Sequence, residues 1–415
     1  MKKVLIISYH FPPVNNIAAR RFGGMVGYMK EFGWEPFVLT TNSKGNLPVN
    51  IPEKNIIRIG ENYQKGDLVS DEEYRGIPFL LKIPYFFYRK LGAEIISLDR
   101  FIFNWGRELK KNKEIIRRIN PDIIIGTCYP AVDIWMAKFF SEIIKKPWIA
   151  DLEDPLSLLN NSKVPFIRFL DEKIDRALIK SASAVIALGP KMVAKLGKLY
   201  GRQIEIVYNG FNGEELEPEI NLKDKKNKNI YYAGRFQSQR IPAIKLLIDW
   251  FAKDKKYDFS LKIRSLGPKE ANEEILRYAK EKNVCDKIDL LPATSPEVIF
   301  QEEKEADILL SLNDLEKKIN NSECQIAGKL TEYLSLRVPI ISINRSDSDD
   351  GLVLEDTSRG YLVSDLNGLD RAINDILQKG ILNYFNWEKV KKYSKKYQTK
   401  KLCNILDKIC EVKIN

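Results

Sequence analysis

Short runs rich in Val, Ile and Leu recur along almost the whole chain, and a stretch with helical spacing follows most of them. No other feature constrains the fold as much, because parallel strands buried on both faces need continuous apolar runs and crossover helices between them. In the first half the runs are 4–8 (VLIIS), 36–41, 56–60, 122–127 (DIIIGT), 148–152 (WIADL), 184–188 and 204–208. Residues 18–33, 131–146 and 167–182 carry helical patterns between them. A second series begins at 230–235 (IYYAGR) and continues at 260–266, 287–292, 306–312, 339–344 and 361–364, separated by helical stretches at 241–253, 269–282, 328–337 and 366–379. The chain of 415 residues exceeds what one core accommodates. The pattern predicts an α/β protein of two Rossmann-like, doubly wound domains facing each other across a crevice, with ligands at the carboxyl ends of the strands.

The predicted boundaries are 1–214 for the first domain, a lysine-rich linker over 215–228, 229–385 for the second domain, and amphipathic C-terminal helices over 386–415 that pack back toward the first. Residues 76–119 break the rhythm with bulky aromatics among Lys and Arg. They read either as a helical insertion whose apolar side is core, or as a surface that dips into an anionic bilayer.

Composition removes several chemistries. With 67 Lys+Arg against 56 Asp+Glu the formal charge is +11, a balance that suits phosphorylated substrates or anionic lipid; no basic run interleaved with aromatics marks a nucleic-acid groove. The chain has one histidine, His10, and five cysteines without a CxxC pair, so no metal site is expected and the thiols read as reduced. The apolar run at 4–7 is too short for a secretory leader, and no stretch approaches a membrane span. A cytoplasmic protein, peripheral at most to the inner face of the membrane, is the expectation.

Four stretches carry candidate chemistry. In SYHFPPVNNIAARR a strand passes into a helix through Asn15 and Asn16, residues that tolerate left-handed backbone, with His10 and Arg20 alongside. This is either a plain loop or an anion site at a helix N-terminus. In YYAGRFQSQR, Arg235 and Arg240 straddle a second strand-to-helix turn, where both could reach a phosphate or simply be solvated. In NSECQIAGKLTEYLSLRVPIIS, Ala327, Gly328 and Lys329 open a helix bearing Glu332, which either accepts from ribose hydroxyls or complements the helix dipole. In KPWIADLEDPLS, Asp151, Glu153 and Asp154 follow a strand and either face the crevice or cap a turn.

Taken in this order, YHFPPVNNIAAR, YAGRFQSQR and GKLTEYLSLRVPIIS resemble the GT-B nucleotide-sugar glycosyltransferases, above all the retaining family 4 enzymes of bacterial capsule, exopolysaccharide and lipopolysaccharide synthesis. The resemblance spans essentially the whole chain. It implies that the first domain binds the acceptor, a lipid-linked glycan, and that the second binds a UDP- or GDP-sugar as substrate, with no bound cofactor. It places the diphosphate-stabilising cations at Arg235 and Arg240 and the ribose-holding carboxylate at Glu332, with Ala327, Gly328, Lys329, Asn15 and Asn16 around the donor. His10, Arg20 and Glu153 would line the acceptor side, with Asp154 and Asp151 as carboxylates orienting or deprotonating the acceptor. Four places depart from the family pattern: Cys324 stands where a first Glu is common, Arg240 stands where Lys is commoner and keeps the charge, Asn15-Asn16 replaces Gly-Gly, and Glu153-Asp154 fall where relatives have His-Asp. The alternatives are a nucleotide-sugar epimerase on the same fold, disfavoured by a single histidine, and a non-catalytic glycosyltransferase-like subunit.

Overall fold

The computed structural model describes residues 1–61, 97, 100–102, 104–154, 156–160, 162, 164–213, 228–253, 257–318, 321–379 and 386–411. The linker assigned to 215–228 lies outside them except for Lys228, as do residues 76–96, 98, 99 and 103 of the aromatic and basic stretch. The chain forms two compact units, Met1–Tyr208 with Lys395–Asn415, and Asn209–Ser394.

The first unit is built on a seven-stranded sheet of order β3-β2-β1-β4-β5-β6-β7. Its strands are β1 Lys2–Ile7, β2 Trp34–Asn42, β3 Ile56–Glu61, β4 Ile123–Cys128, β5 Trp148–Leu152, β6 Ala184–Ala187 and β7 Glu205–Ile206, all paired in parallel. Every residue of β4 and β5 is buried, which is why those segments are apolar on both faces but for Thr127 and Asp151 rather than alternating. Val4, Ile6, Ile123, Ile125, Ile149 and Ile186 pack against Phe22, Met25, Val26 and Met29 of the helix Ile17–Met29. Leu402, Cys403, Ile405 and Leu406 of the last helix, Lys395–Glu411, join the same core.

The second unit has a six-stranded sheet of order β10-β9-β8-β11-β12-β13. These strands are β8 Lys228–Gly234, β9 Phe259–Ser265, β10 Ile288–Leu291, β11 Ile308–Leu312, β12 Ile340–Ile343 and β13 Gly360–Val363. They too pair in parallel. Ile230, Leu261, Ile263, Ile308 and Leu310 share a core with Ile244, Leu247, Ile248 and Phe251 of the helix Ile241–Lys253.

In both sheets the chain runs outward one way from its first strand, then returns to add strands on the other side. The topological switch therefore falls between β1 and β4 in one unit and between β8 and β11 in the other, where loops diverge and leave room for a ligand. The first stretch of the first unit runs to Tyr208. Of the C-terminal helices, Trp387–Lys391 falls in the second unit and only Lys395–Glu411 in the first. Among the described residues no helix is long and apolar enough to cross a membrane.

Candidate functional site

In the first unit the loop leaving β1 is fixed at Tyr9. Its N–H donates to Asp133 Oδ2 at 2.8 Å, and its carbonyl accepts from the hydroxyls of Thr41 (2.9 Å) and Thr40 (3.3 Å). The Tyr9 ring is wholly buried, edge-on to Trp105 with centroids 5.3 Å apart. His10 follows, half-buried, its carbonyl accepting from Ser8 Oγ at 2.8 Å. Burial lowers the imidazole to about 4, so it is neutral at pH 7, and its Nδ1 has no hydrogen-bond partner among the described residues.

Asn16 does not take left-handed backbone as expected: its φ is −138°, and its side chain caps the helix by accepting from Ala19 N–H at 2.8 Å. One of the helix's free donors is thereby used internally. Asn15 Nδ2 donates to Asn46 Oδ1 at 3.3 Å, and Arg20 reaches Asn15 Oδ1 at 3.5 Å, both on the exposed side of the loop.

Asp151 has a different place from the one its sequence context predicts. Its carboxylate is fully buried and takes two hydrogen bonds from Arg21, Nε at 2.8 Å and Nη2 at 2.7 Å, plus one from Thr127 Oγ1 at 3.1 Å. Burial alone would lower the Arg21 guanidinium, but Asp151, with Glu153 assisting, outweighs it. Asp151 is therefore a structural counter-ion beneath the loop, and Glu153 is buried beside it. Asp154 lies one step further out, only partly buried, with its N–H donating to Cys128 O at 3.1 Å across the ends of β5 and β4.

In the second unit the two arginines of the first loop differ. Arg235 is exposed, and no described residue bonds its guanidinium; its carbonyl accepts from Arg240 Nη1 at 2.8 Å. Arg240 also bonds the buried Tyr232 phenol, which burial raises against the pull of Arg240 and Lys329. Gly234 makes room for that phenol, since a side-chain carbon there would sit 2.6 Å from its oxygen. The neighbouring β9 loop is locked on by Leu266 N–H, which donates to Gly234 O at 3.1 Å.

The segment after β11 brings Lys329 and Glu332 together. Lys329 Nζ lies 3.0 Å from Glu332 Oε2 and 2.8 Å from Glu303 Oε1, so its ammonium is held between two carboxylates. Burial would lower Lys329, but Glu332 and Glu303 outweigh it and hold the ammonium above its usual value. Glu332 is 40% exposed, whereas Glu303 is 5% exposed. Gly328 opens onto free space. Ala327 cannot donate outward, because its N–H bonds Asp350 Oδ1 at 3.0 Å. Cys324 is buried, and Glu323 beside it pairs with Arg345 at 3.1 Å.

Sequence reasoning missed Asp133, Glu303 and Asp350. Asp350, fully buried and raised by that burial, accepts from Ser342 Oγ and Asn344 Nδ2, both at 3.0 Å, besides Ala327. The signal available was only a carboxylate near a helix start after a strand, which also describes an ordinary dipole partner.

No protein-family model matches the chain, and no curated protein matches it in sequence. Solved structures do match it along its length. The lipopolysaccharide outer core galactosyltransferase WaaB, in its apo form, aligns with a TM-score of 0.60 at 14% identity, over 98% of this chain and 100% of that one. Anabaena Alr3699/HepE in complex with UDP aligns with a TM-score of 0.61 at 12% identity, over 98% and 100%. A putative UDP-N-acetylglucosamine 2-epimerase from Listeria monocytogenes aligns less closely, with a TM-score of 0.53 at 13% identity, over 98% and 95%. With its two parallel sheets, the chain has the two-domain Rossmann-like GT-B fold.

Proposed function

We propose that the chain is a glycosyltransferase that moves a sugar from a nucleotide-diphosphate donor, UDP- or GDP-linked, to a lipid-linked bacterial surface glycan, with retention and without a metal. The observation that carries this reading is the pairing at the second sheet's switch point. The loop leaving β8 presents Arg235 and Arg240, and the helix after its neighbour β11 presents Glu332 beside the open surface at Gly328. Transfer from such a donor builds negative charge on the leaving diphosphate. Cations fixed before the reaction stabilise that charge without reorganising. Arg240 is fixed in this sense by Tyr232 and by the Arg235 carbonyl, while Arg235 is the cation left to meet a ligand. Glu332 would accept from the donor ribose. In the first unit, Asp154 and His10 would flank the acceptor, and Asp151 holds Arg21.

The test is nucleotide release from UDP- and GDP-sugars with and without the acceptor fraction. Arg235→Ala is expected to lower turnover on the order of 10²-fold with the fold intact, the scale of losing one charge-stabilising donor. An unchanged rate removes Arg235 from the reaction. Interconversion of the sugar without an acceptor would point to an epimerase, and the lack of any nucleotide binding would leave a non-catalytic subunit.

A further inference from the structure

We infer that Glu303 is a positioning residue for recognition of the donor's ribose, acting through Lys329 on Glu332; this rests on the donor reading above. Glu303 lies on the helix Pro296–Glu305, ahead of β11 and away from the loops at the carboxyl ends of the strands. Its neighbour Glu302 ties that helix to the sheet. It accepts from Tyr231 Oη at 2.8 Å on β8 and from Arg264 at 2.7 and 3.0 Å on β9, and it pairs with Lys262 at 2.8 Å. Hydrogen bonding from Arg264, with Lys262 and Tyr231 adding to it, holds the Glu302 carboxyl down at about 2, so this grip is ionised across the working pH range.

From that anchor a short relay runs to the surface. Glu303, almost wholly buried, takes one side of the Lys329 ammonium at 2.8 Å, and Glu332 takes another at 3.0 Å. A lysine stem is flexible and loses its direction when only a half-exposed partner holds it. With Glu303 in place, the ammonium is a fixed point one helical turn from Glu332, and it holds that carboxylate by one oxygen. Two carboxylates share one ammonium, so the cluster keeps an excess negative charge, and the exposed member through which it reaches solvent is Glu332. A carboxylate that must accept from hydroxyls needs both properties: a fixed direction and charge that its own counter-ion has not consumed. Without Glu303, the Lys329 ammonium loses its buried carboxylate partner and faces Glu332 one charge to one charge.

Ribose discrimination is the readout, measured by calorimetry as the ratio of Kd for 2′-deoxy-UDP to UDP and, in parallel, for 2′-deoxy-GDP to GDP. The wild type is expected to favour the ribonucleotide on the order of tenfold, the scale of one hydrogen bond to a charged group. In Glu303→Gln the ratio should fall to about twofold or less, while affinity for the deoxynucleotide stays within about threefold of wild type. A merely structural role would weaken both ligands alike and leave the ratio intact. Either an intact ratio or parallel loss overturns the inference. If Glu303→Gln does not fold, judged by circular dichroism and melting, Glu303→Asp, which keeps the charge but falls short of the Lys329 ammonium, is read instead and must show the same fall of the ratio. A wild type that binds neither UDP nor GDP sinks the donor reading itself. A wild type that binds them without ribose preference sinks only the relay.

Discussion

The single histidine shows how environment decides what a residue can do. His10 follows a backbone position held by Asp133, Thr40 and Thr41, and burial lowers its imidazole from 6.5 to about 4. The folded state therefore binds fewer protons than the unfolded chain between those two values, and stability rises with pH across that window. The contribution is fully present above pH 6.5 and is lost as pH falls through 4. The shift corresponds to about 3 kcal/mol as an order of magnitude. Comparing urea unfolding of wild type and His10→Gln from pH 7 to pH 4 isolates this term: wild type should lose stability relative to the variant on acidification. Parallel curves would mean that the imidazole is already hydrated. The sequence marked His10 as singular but could not show its neutrality, which comes from packing. Asp151 makes the same point. Its position after a strand looked reactive, yet the Arg21 that occupies it lies 130 residues away in the chain.

At the level of elements, Gly126 in β4 explains how the β1 loop is held. A side-chain carbon there would lie 2.6 Å from the Asp133 carbonyl oxygen and 2.7 Å from Ala137 Cβ, so the helix Val132–Ile144 rests directly on the strand. That helix carries the Asp133 carboxylate that fixes Tyr9. Gly126→Ala should force it outward at a cost of about 1–3 kcal/mol, with a fall in melting temperature of roughly 3–10 °C. A melting curve identical to wild type would show that the strand and helix have slack. The strands themselves were largely legible, because buried parallel strands announce themselves as apolar runs; 56–60 and 148–152 match β3 and β5 almost to the residue. The helices Pro190–Tyr200, Pro296–Glu305 and Asp349–Thr357 were not. Each is short, and the last begins with two acidic residues that read as loop. Glu303 and Asp350, which organise the Gly328–Tyr333 segment, ride on two of these helices. Arg235, Arg240 and Glu332 could be singled out as candidates because they sit one or two turns from obvious strands.

For the molecule as a whole, the two units draw their stability from the sequence differently. The second is continuous, Asn209–Ser394, and its core is drawn from its own strands and helices. The first is discontinuous: helix Lys395–Glu411 places Leu402 and Leu406 in the core around β1 and against the helix Ile17–Met29, with Asp407 bonded to Lys2 at 2.8 Å. Gln398 also accepts from Tyr208 N–H at 2.9 Å, fixing the chain just beyond β7. Burying a leucine side chain contributes about 1.5–3 kcal/mol, so a few such residues amount to much of a domain's net stability. The surface pair to Lys2, by contrast, is worth little. A chain ended at Ser394 should therefore lose cooperative melting of the first unit while residues 209–394, expressed alone, still melt in one transition. A peptide of residues 395–415 added in trans should restore part of the first transition in a concentration-dependent way, since binding to the folded form alone stabilises it by mass action. If the shortened chain keeps both transitions at wild-type temperatures, the last helix covers the core without supporting it. The first unit would then fold on residues 1–208 alone.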